Sequence, residues 1–381
     1  MAPERDLDRL VNELNTSGGT GPPTDTSRLE EWLAILRTRG GSDLYLVSGV
    51  PPTIRLNGVV RPLPEPPLDG DDIENAVLPA LPVHAAERYR RHGIADASLR
   101  GSARGRFRIN LHRERGRAAA SIRALPLNPP QLADLGLPDA VEGLSTLTHG
   151  LVLIGGPTGS GKTTTLAALV DLINRRDAKH IVTIEDPIEY EHAHRQSVVE
   201  QVEIGIDAPD FATALRAAVR QSPDVIVVGE MRDPETMQIA LAAGETGHLV
   251  FSTVHTTDVA STVARVSDAF PPERQPTIRQ ELSMALAAVM TQMLLPNPHG
   301  GRVPAVELLM LGYGARQHIR KNALQHLHQE ITITRRQGSL TFEECLVRLV
   351  RQDLITVEHA RSAARHRDEL DGLLRDERTQ R

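Results

Sequence analysis

The sequence predicts an α/β protein in two parts, a parallel sheet covered by helices on both faces and, ahead of it, a smaller α+β domain. Three observations predict it. Four short apolar runs at 151–154, 181–184, 225–228 and 249–253 are separated by polar loops and helix-period segments; continuous apolar strands divided by helices mark a parallel sheet buried on both sides. Before residue 151 the runs are shorter, one of them alternates polar and apolar, and a hairpin signal appears. Between the two patterns, residues 125–138 carry Pro126, Pro129 and Pro130 and read as an interdomain linker.

Taken in order, Leu7, Leu10, Val11 and Leu14 form a short apolar stripe, and 16–27 is rich in Gly, Ser, Thr and Pro. Residues 1–27 are therefore expected to be an N-terminal extension and flexible linker. A helix through Leu29, Trp32, Leu33 and Leu36 opens the first domain, 28–130. Strand-like runs follow at 44–47 and 53–56, and Asn57-Gly58 is a hairpin signal. Residues 62–67 read as a loop, 71–91 as a helical stretch, and 106–112 as a half-buried strand. Arg106 and Arg108 fall on the polar side of that strand, and Arg113, Arg115 and Arg123 flank the expected hairpin tip. These arginines are either a solvated basic face or phosphate contacts, because guanidinium groups bind phosphate oxygens bidentately.

With 381 residues the chain is long enough for two domains. A net charge of −6 gives no general grip on nucleic acid or acidic membrane, and with 3% aromatics there is little to stack on single strands. The single cysteine, Cys345, excludes an internal disulfide and a Cys-rich zinc site. The start, Met-Ala-Pro-Glu-Arg-Asp, has no apolar signal-peptide core, and the longest apolar stretch, 282–295, is too short to span a bilayer and is interrupted by Thr291 and Gln292. The expectation is a soluble, cytoplasmic protein.

Gly156 to Thr163 satisfies G-x-x-x-x-G-K-[ST] between an apolar strand and a helix with Leu166, Leu169, Val170 and Ile173 on one face. That is the context in which a phosphate loop works. Gly156, Gly159 and Gly161 let the backbone wrap a phosphate, and the N–H groups at the helix start attract the anion. Lys162 is placed for the β/γ-phosphates and the Thr163 hydroxyl for Mg²⁺. The loop residues Pro157, Thr158, Ser160 and Thr164 complete the expected nucleotide contacts. No Asn/Thr-Lys-x-Asp base-reading motif points to GTP, so the nucleotide expected is ATP. In a parallel sheet ligands bind beyond the carboxyl ends of the strands. Glu185, Asp186 and Glu189 follow the second run, Gly229 and Glu230 the third, and His255 the fourth; His248 precedes the fourth. Attack of water on a γ-phosphoryl group needs Mg²⁺, a group that orients the water, and positive charge. Glu230 stands first for water activation or Mg²⁺–water contact and Glu189 second, and spacing does not choose between them. His255 is the expected γ-phosphate sensor, with His248 behind it.

Four segments in order, the phosphate loop, Thr183-Ile-Glu-Asp-Pro-Ile-Glu189, Asp224-Val-Ile-Val-Val-Gly-Glu-Met-Arg-Asp233 and Gly244-Glu-Thr-Gly-His-Leu-Val-Phe-Ser-Thr-Val-His255, resemble the Walker A, Asp, Walker B and His boxes of the secretion-superfamily ATPases. Within that superfamily the chain resembles the type IV pilus retraction (twitching motility) ATPases. Ser42-Asp-Leu-Tyr-Leu and Arg106-Phe-Arg-Ile-Asn are similar to that family's PAS-like N-terminal domain. The resemblance implies a RecA-like P-loop ATPase core over 131–381, ending in C-terminal helices, and a homo-hexameric ring that binds ATP and Mg²⁺ between its domains. It implies Glu189 and Glu230 as the acidic pair, His248 and His255 as the His-box histidines, and Arg115 and Arg123 as phosphate contacts. Thr163 and Glu230 are the expected metal contacts, and because Gly229 stands where many P-loop proteins carry an aspartate, Thr163 and water must do more of the Mg²⁺ holding. The implied partner is an inner-membrane platform protein of the pilus machine, with no nucleic acid and with membrane association only through partners. The assembly and secretion branches usually carry a four-cysteine motif that one cysteine cannot build. The family's Ala-Ile-Arg-Asn-Leu-Ile-Arg-Glu pattern stands here as Gly314-Ala-Arg-Gln-His-Ile-Arg-Lys321. The alternatives are an assembly or secretion ATPase of the same superfamily and a RecA-like nucleic-acid translocase.

Overall fold

The structure, a computed structural model, describes residues 26–101 and 105–376, so the stripe at Leu7–Leu14 and nearly all of the linker lie outside the described residues. The described residues divide into two compact units, with the boundary between Pro126 and Leu127.

In the first unit, α1 (Thr26–Thr38) buries Leu29, Trp32, Leu33 and Leu36, the i, i+3, i+4, i+7 face read from the sequence. Six antiparallel strands follow: β1 (Asp43–Leu46), β2 (Thr53–Leu56), β3 (Val59–Pro62), β4 (Ile94–Gly101), β5 (Gly105–Glu114) and β6 (Arg117–Ala124). Their order is β3-β2-β1-β6-β5-β4. Asn57 and Gly58 have φ 49° and 81°, which suits a tight two-residue hairpin. The helical stretch expected at 71–91 is two helices, α2 (Gly70–Val77) and α3 (Val83–His92). Pro79 and Pro82 interrupt it, since each lacks an N–H and clashes with the preceding turn. Asp69 starts α2 with a reciprocal capping box to Asp72.

The second unit contains a seven-stranded sheet. Its elements are β7 (Gly150–Gly155), α4 (Lys162–Arg176), β8 (His180–Glu185), β9 (Val198–Glu203), α5 (Phe211–Ala218), β10 (Val225–Val228), α6 (Pro234–Glu245), β11 (Leu249–Val254), α7 (Val259–Asp268), α8 (Gln275–Ala285), β12 (Leu286–Pro296) and β13 (Arg302–Met310). The order is β13-β12-β7-β11-β10-β8-β9, with every pair parallel except β12–β13. All four expected strands are present. Successive residues of a strand point to opposite faces. Val152 and Ile154 thus join one core, with α4, while Leu151 and Leu153 join the other, with α6 and α7. This is the covered α/β architecture the apolar runs predict. The apolar stretch at 282–295 divides in two, as α8 ends at Ala285 and the chain continues as β12. Five helices close the chain: α9 (Tyr313–Arg320), α10 (Leu327–Ile333), α11 (Phe342–Arg351), α12 (Val357–Ala363) and α13 (Arg367–Asp376). Among the described residues no helix is long and apolar enough to cross a membrane.

Candidate active site

Between β7 and α4 the chain makes the phosphate loop, and its glycines are there for geometric reasons. Gly156, Gly159 and Gly161 have φ 153°, 75° and 86°, values other residues adopt with strain. At Gly156 a Cβ would also lie 2.5 Å from both the Gln292 carbonyl oxygen and Ser160 Oγ. Lys162 is buried at the first position of α4, and its Nζ donates to the carbonyls of Gly156 at 2.7 Å and Pro157 at 3.0 Å. Burial lowers its pKa from the ordinary lysine value, and the Glu230 carboxylate opposes that shift. Ser160 Oγ is buried and has no hydrogen-bond partner among the described residues, a donor suited to an incoming phosphate oxygen. Pro157, Thr158 and Gly159 are exposed, and Thr163 and Thr164 are half-buried. The Thr164 hydroxyl lies 3.2 Å from the Tyr190 hydroxyl.

Two neighbouring strands bring groups to the same edge. Glu230 follows β10, and its side chain is only 15% exposed. One carboxylate oxygen is 2.5 Å from Arg232 Nη2, and the other is 3.9 Å from His255 Nε2. His255 follows β11. Burial, and then the Lys162 charge, lower its pKa below the usual 6.5, against the pull of Glu230, a shift that favours the neutral ring. Glu230, Arg232, Thr253, His255 and Arg265 line a cleft of ≈ 190 Å³. Glu189, half-buried after β8, adds its charge to the burial that raises the Glu185 carboxyl above the ordinary range. Glu185 accepts from the Thr183 hydroxyl at 2.7 Å and Gln201 Nε2 at 3.2 Å. Gly229 allows this arrangement, because a Cβ there would stand 3.2 Å from the Ile184 carbonyl. An aspartate at that position would press on β8, and the carboxylate beside Gly229 comes from Glu185 instead.

Two expected positions need correction, those of His248 and Arg123. His248 opens β11 at the end opposite the phosphate loop. Six strand residues put about 20 Å between the two ends, and His248 Nδ1 instead lies 3.1 Å from the Ala243 carbonyl. Its chemistry is that of a turn between α6 and β11. Arg123 does not flank the β5–β6 hairpin tip, which is Arg115-Gly116, with φ 50° and 77°. It sits at the far end of β6 beside Arg108, and its Nε donates to the buried Asp43 at 2.9 Å. Arg115, with its side chain 90% exposed, pairs with Glu114 at 3.0 Å.

Sequence reasoning also missed Gln292. From β12 its Nε2 donates to the Ser160 carbonyl at 2.8 Å, and its Oε1 accepts from the Thr165 hydroxyl at 2.8 Å. Only 3% of Gln292 is exposed. A buried glutamine with both ends engaged braces the loop from below. The available signal was a polar residue in an apolar run, which reads as an interruption until the run is seen to pair with β7.

A parallel sheet with a phosphate loop at its carboxyl edge, a carboxylate and a neutral histidine beside it, defines a P-loop ATPase. Residues 117–377 match the family model of the type II/IV secretion system protein. The chain is 39% identical over 337 residues to the type IV pilus retraction ATPase PilT of Pseudomonas aeruginosa, covering 88% of this chain and 98% of that one. It is 38% identical over 342 residues to a twitching motility protein of Neisseria gonorrhoeae, covering 89% and 91%. The crystal structure of the pilus retraction motor PilT with bound ADP matches with a TM-score of 0.83 at 42% identity, over 90% of this chain and 98% of that one. The chain belongs to the type II/IV secretion ATPase family, and its core is RecA-like.

Proposed function

We propose that this chain is the ATP-driven motor that retracts a type IV pilus. It would work as a ring of six copies at the cytoplasmic face of the inner membrane, against a platform protein of the pilus machine. One observation carries the reading. Lys162, Glu230 and His255 converge at the carboxyl edge of β7, β10 and β11, in a chain that matches 98% of a retraction ATPase's length. In this reading Lys162 exchanges its two loop carbonyls for the β/γ-phosphates, with Ser160 Oγ and the N–H groups at the start of α4 as further donors. Thr163 and Glu230 offer the hard oxygen donors that would hold Mg²⁺, which when bound spreads the phosphate charge. Glu230, with a carboxylate oxygen 3.9 Å from His255 Nε2, orients the attacking water, with Glu189 behind it. Neutral His255 reads the terminal phosphoryl through a hydrogen bond. Arg115 and Arg123 are the phosphate contacts we assign to the first domain in the assembled ring.

Lys162→Ala is expected to abolish nucleotide binding or hydrolysis. Glu230→Gln should still bind ATP yet lose about 10²-fold or more in turnover. Near-normal turnover in Glu230→Gln removes that residue's role. In cells, deletion of the gene should leave excess surface pili without twitching, whereas bald cells would make the chain an assembly motor.

A further inference from the structure

Arg365, between α12 and α13, is remote in sequence from the nucleotide site, yet its guanidinium reaches the loop that carries His255. Nη2 donates to the Thr257 carbonyl, two residues beyond His255, and to Thr291 Oγ1 at 3.2 Å. Nη1 lies 2.5 Å from Glu307 Oε2. The same Glu307 oxygen accepts the Val259 backbone N–H at 3.0 Å and the Thr291 hydroxyl at 3.4 Å. One carboxylate from β13 and one guanidinium from the C-terminal segment therefore fix both ends of the 257–259 turn into α7. The arginine is itself held. Its guanidinium lies 4.1 Å over the Phe342 ring, and Glu343 Oε1 accepts the backbone N–H groups of Arg365 and His366, both at 2.9 Å. Beside the pair, a cavity of ≈ 470 Å³ is lined by Asp258 of the loop, Ala260 in the first turn of α7, and Leu327, Ile331 and Ala363 of the C-terminal helices. That space gives the turn room to shift once the tie is cut.

We propose that Arg365 is a positioning residue for ATP hydrolysis, tying the C-terminal helices to the loop after β11 and so setting where His255 stands over the terminal phosphoryl. The proposal rests on the reading of His255 given above. A buried ion pair that also bonds a backbone carbonyl is directional, unlike an apolar contact, so a movement of the loop is carried to the segment between α12 and α13.

Steady-state ATP turnover by the full chain tests it. R365L is expected to lower kcat by about tenfold or more while KM for ATP stays within about twofold, since Lys162 and Gln292 are untouched. R365K keeps a charged donor for Glu307 or the Thr257 carbonyl, and should recover at least about threefold of the lost kcat. R365L leaves Glu307 buried without its counter-charge, so the double variant E307Q/R365L carries the test if the single variant does not fold. Its glutamine still accepts from the Val259 N–H. The double variant should unfold within a few degrees of wild type yet keep the depressed kcat. Wild-type kcat in folded R365L or in the double variant overturns the proposal, as does R365K no better than R365L. A double variant that fails to fold assigns Arg365 to the fold alone and overturns it equally. Turnover unchanged by H255Q would instead remove the His255 reading, whatever R365L shows.

Discussion

Replacing Gln292 by leucine keeps the volume beneath the phosphate loop and removes both of its hydrogen bonds. The Ser160 carbonyl and the Thr165 hydroxyl each lose a partner at 2.8 Å in a buried place. A buried polar group left unpaired costs about 1–3 kcal/mol. The Thr165 hydroxyl can turn back onto its own helix, so its share falls at the low end, and the two together come to about 2–4 kcal/mol. For a domain of this size that corresponds to a fall in Tm of about 4–16 °C. Part of the loss falls on the loop itself, so KM for ATP should rise about tenfold, equivalent to roughly 1.4 kcal/mol, with kcat less affected. Thermal unfolding with and without ADP, together with steady-state ATPase kinetics, separates the two effects. Q292E keeps the acceptor for Thr165, loses the donor to Ser160, and adds negative charge under the triphosphate, so it should bind ATP more weakly than Q292L. An unchanged Tm with an unchanged KM in Q292L would refute the brace.

Acid sensitivity should trace to His192. Burial, opposed by Asp171, lowers its pKa from 6.5 to about 4, and its Nδ1 is buried without a partner among the described residues. Between those values the unfolded chain binds the proton that the native state refuses. Stability is therefore fully present above pH 6.5 and lost as pH falls toward 4, by up to about 3 kcal/mol. Urea midpoints measured across that range should slope less in H192Q; an equal slope would exclude His192 as the cause. Cys345 is buried and pushed up to about 11 by burial. Iodoacetamide should accordingly leave it unmodified at neutral pH until urea unfolds the chain, and mass spectrometry showing rapid labelling of native protein would contradict its inertness.

What the sequence reveals here follows from how local each feature is. The strands β7, β8, β10 and β11 are continuous apolar runs between helices, so burial on both faces is written into each alone. The phosphate loop is legible because its glycines, lysine and threonine act within eight residues. β12 is not legible, since an apolar stretch that begins in α8 has no internal mark at Ala285 where helix becomes strand, and only pairing with β7 decides it. Gln292 and Arg365 are hidden for the same reason, their partners lying 132 and 108 residues away. His248 misleads because its place in a motif outweighs its place before the strand; the parallel register of β7 and β11 sets that end opposite the phosphate loop. Arg123 misleads similarly, since a hairpin's length determines which arginines share its tip.

β7 has β11 on one side and β12 on the other. Glu230 and His255 approach from the β11 flank, while Gln292 approaches from the β12 flank. The reactive groups and the glutamine brace therefore sit on different strands, so a change confined to Gln292 need not disturb Glu230 or His255. Grip on the nucleotide and speed of its cleavage are in this way separately adjustable, a freedom that a motor tuned to different loads could draw on without rebuilding its central strand.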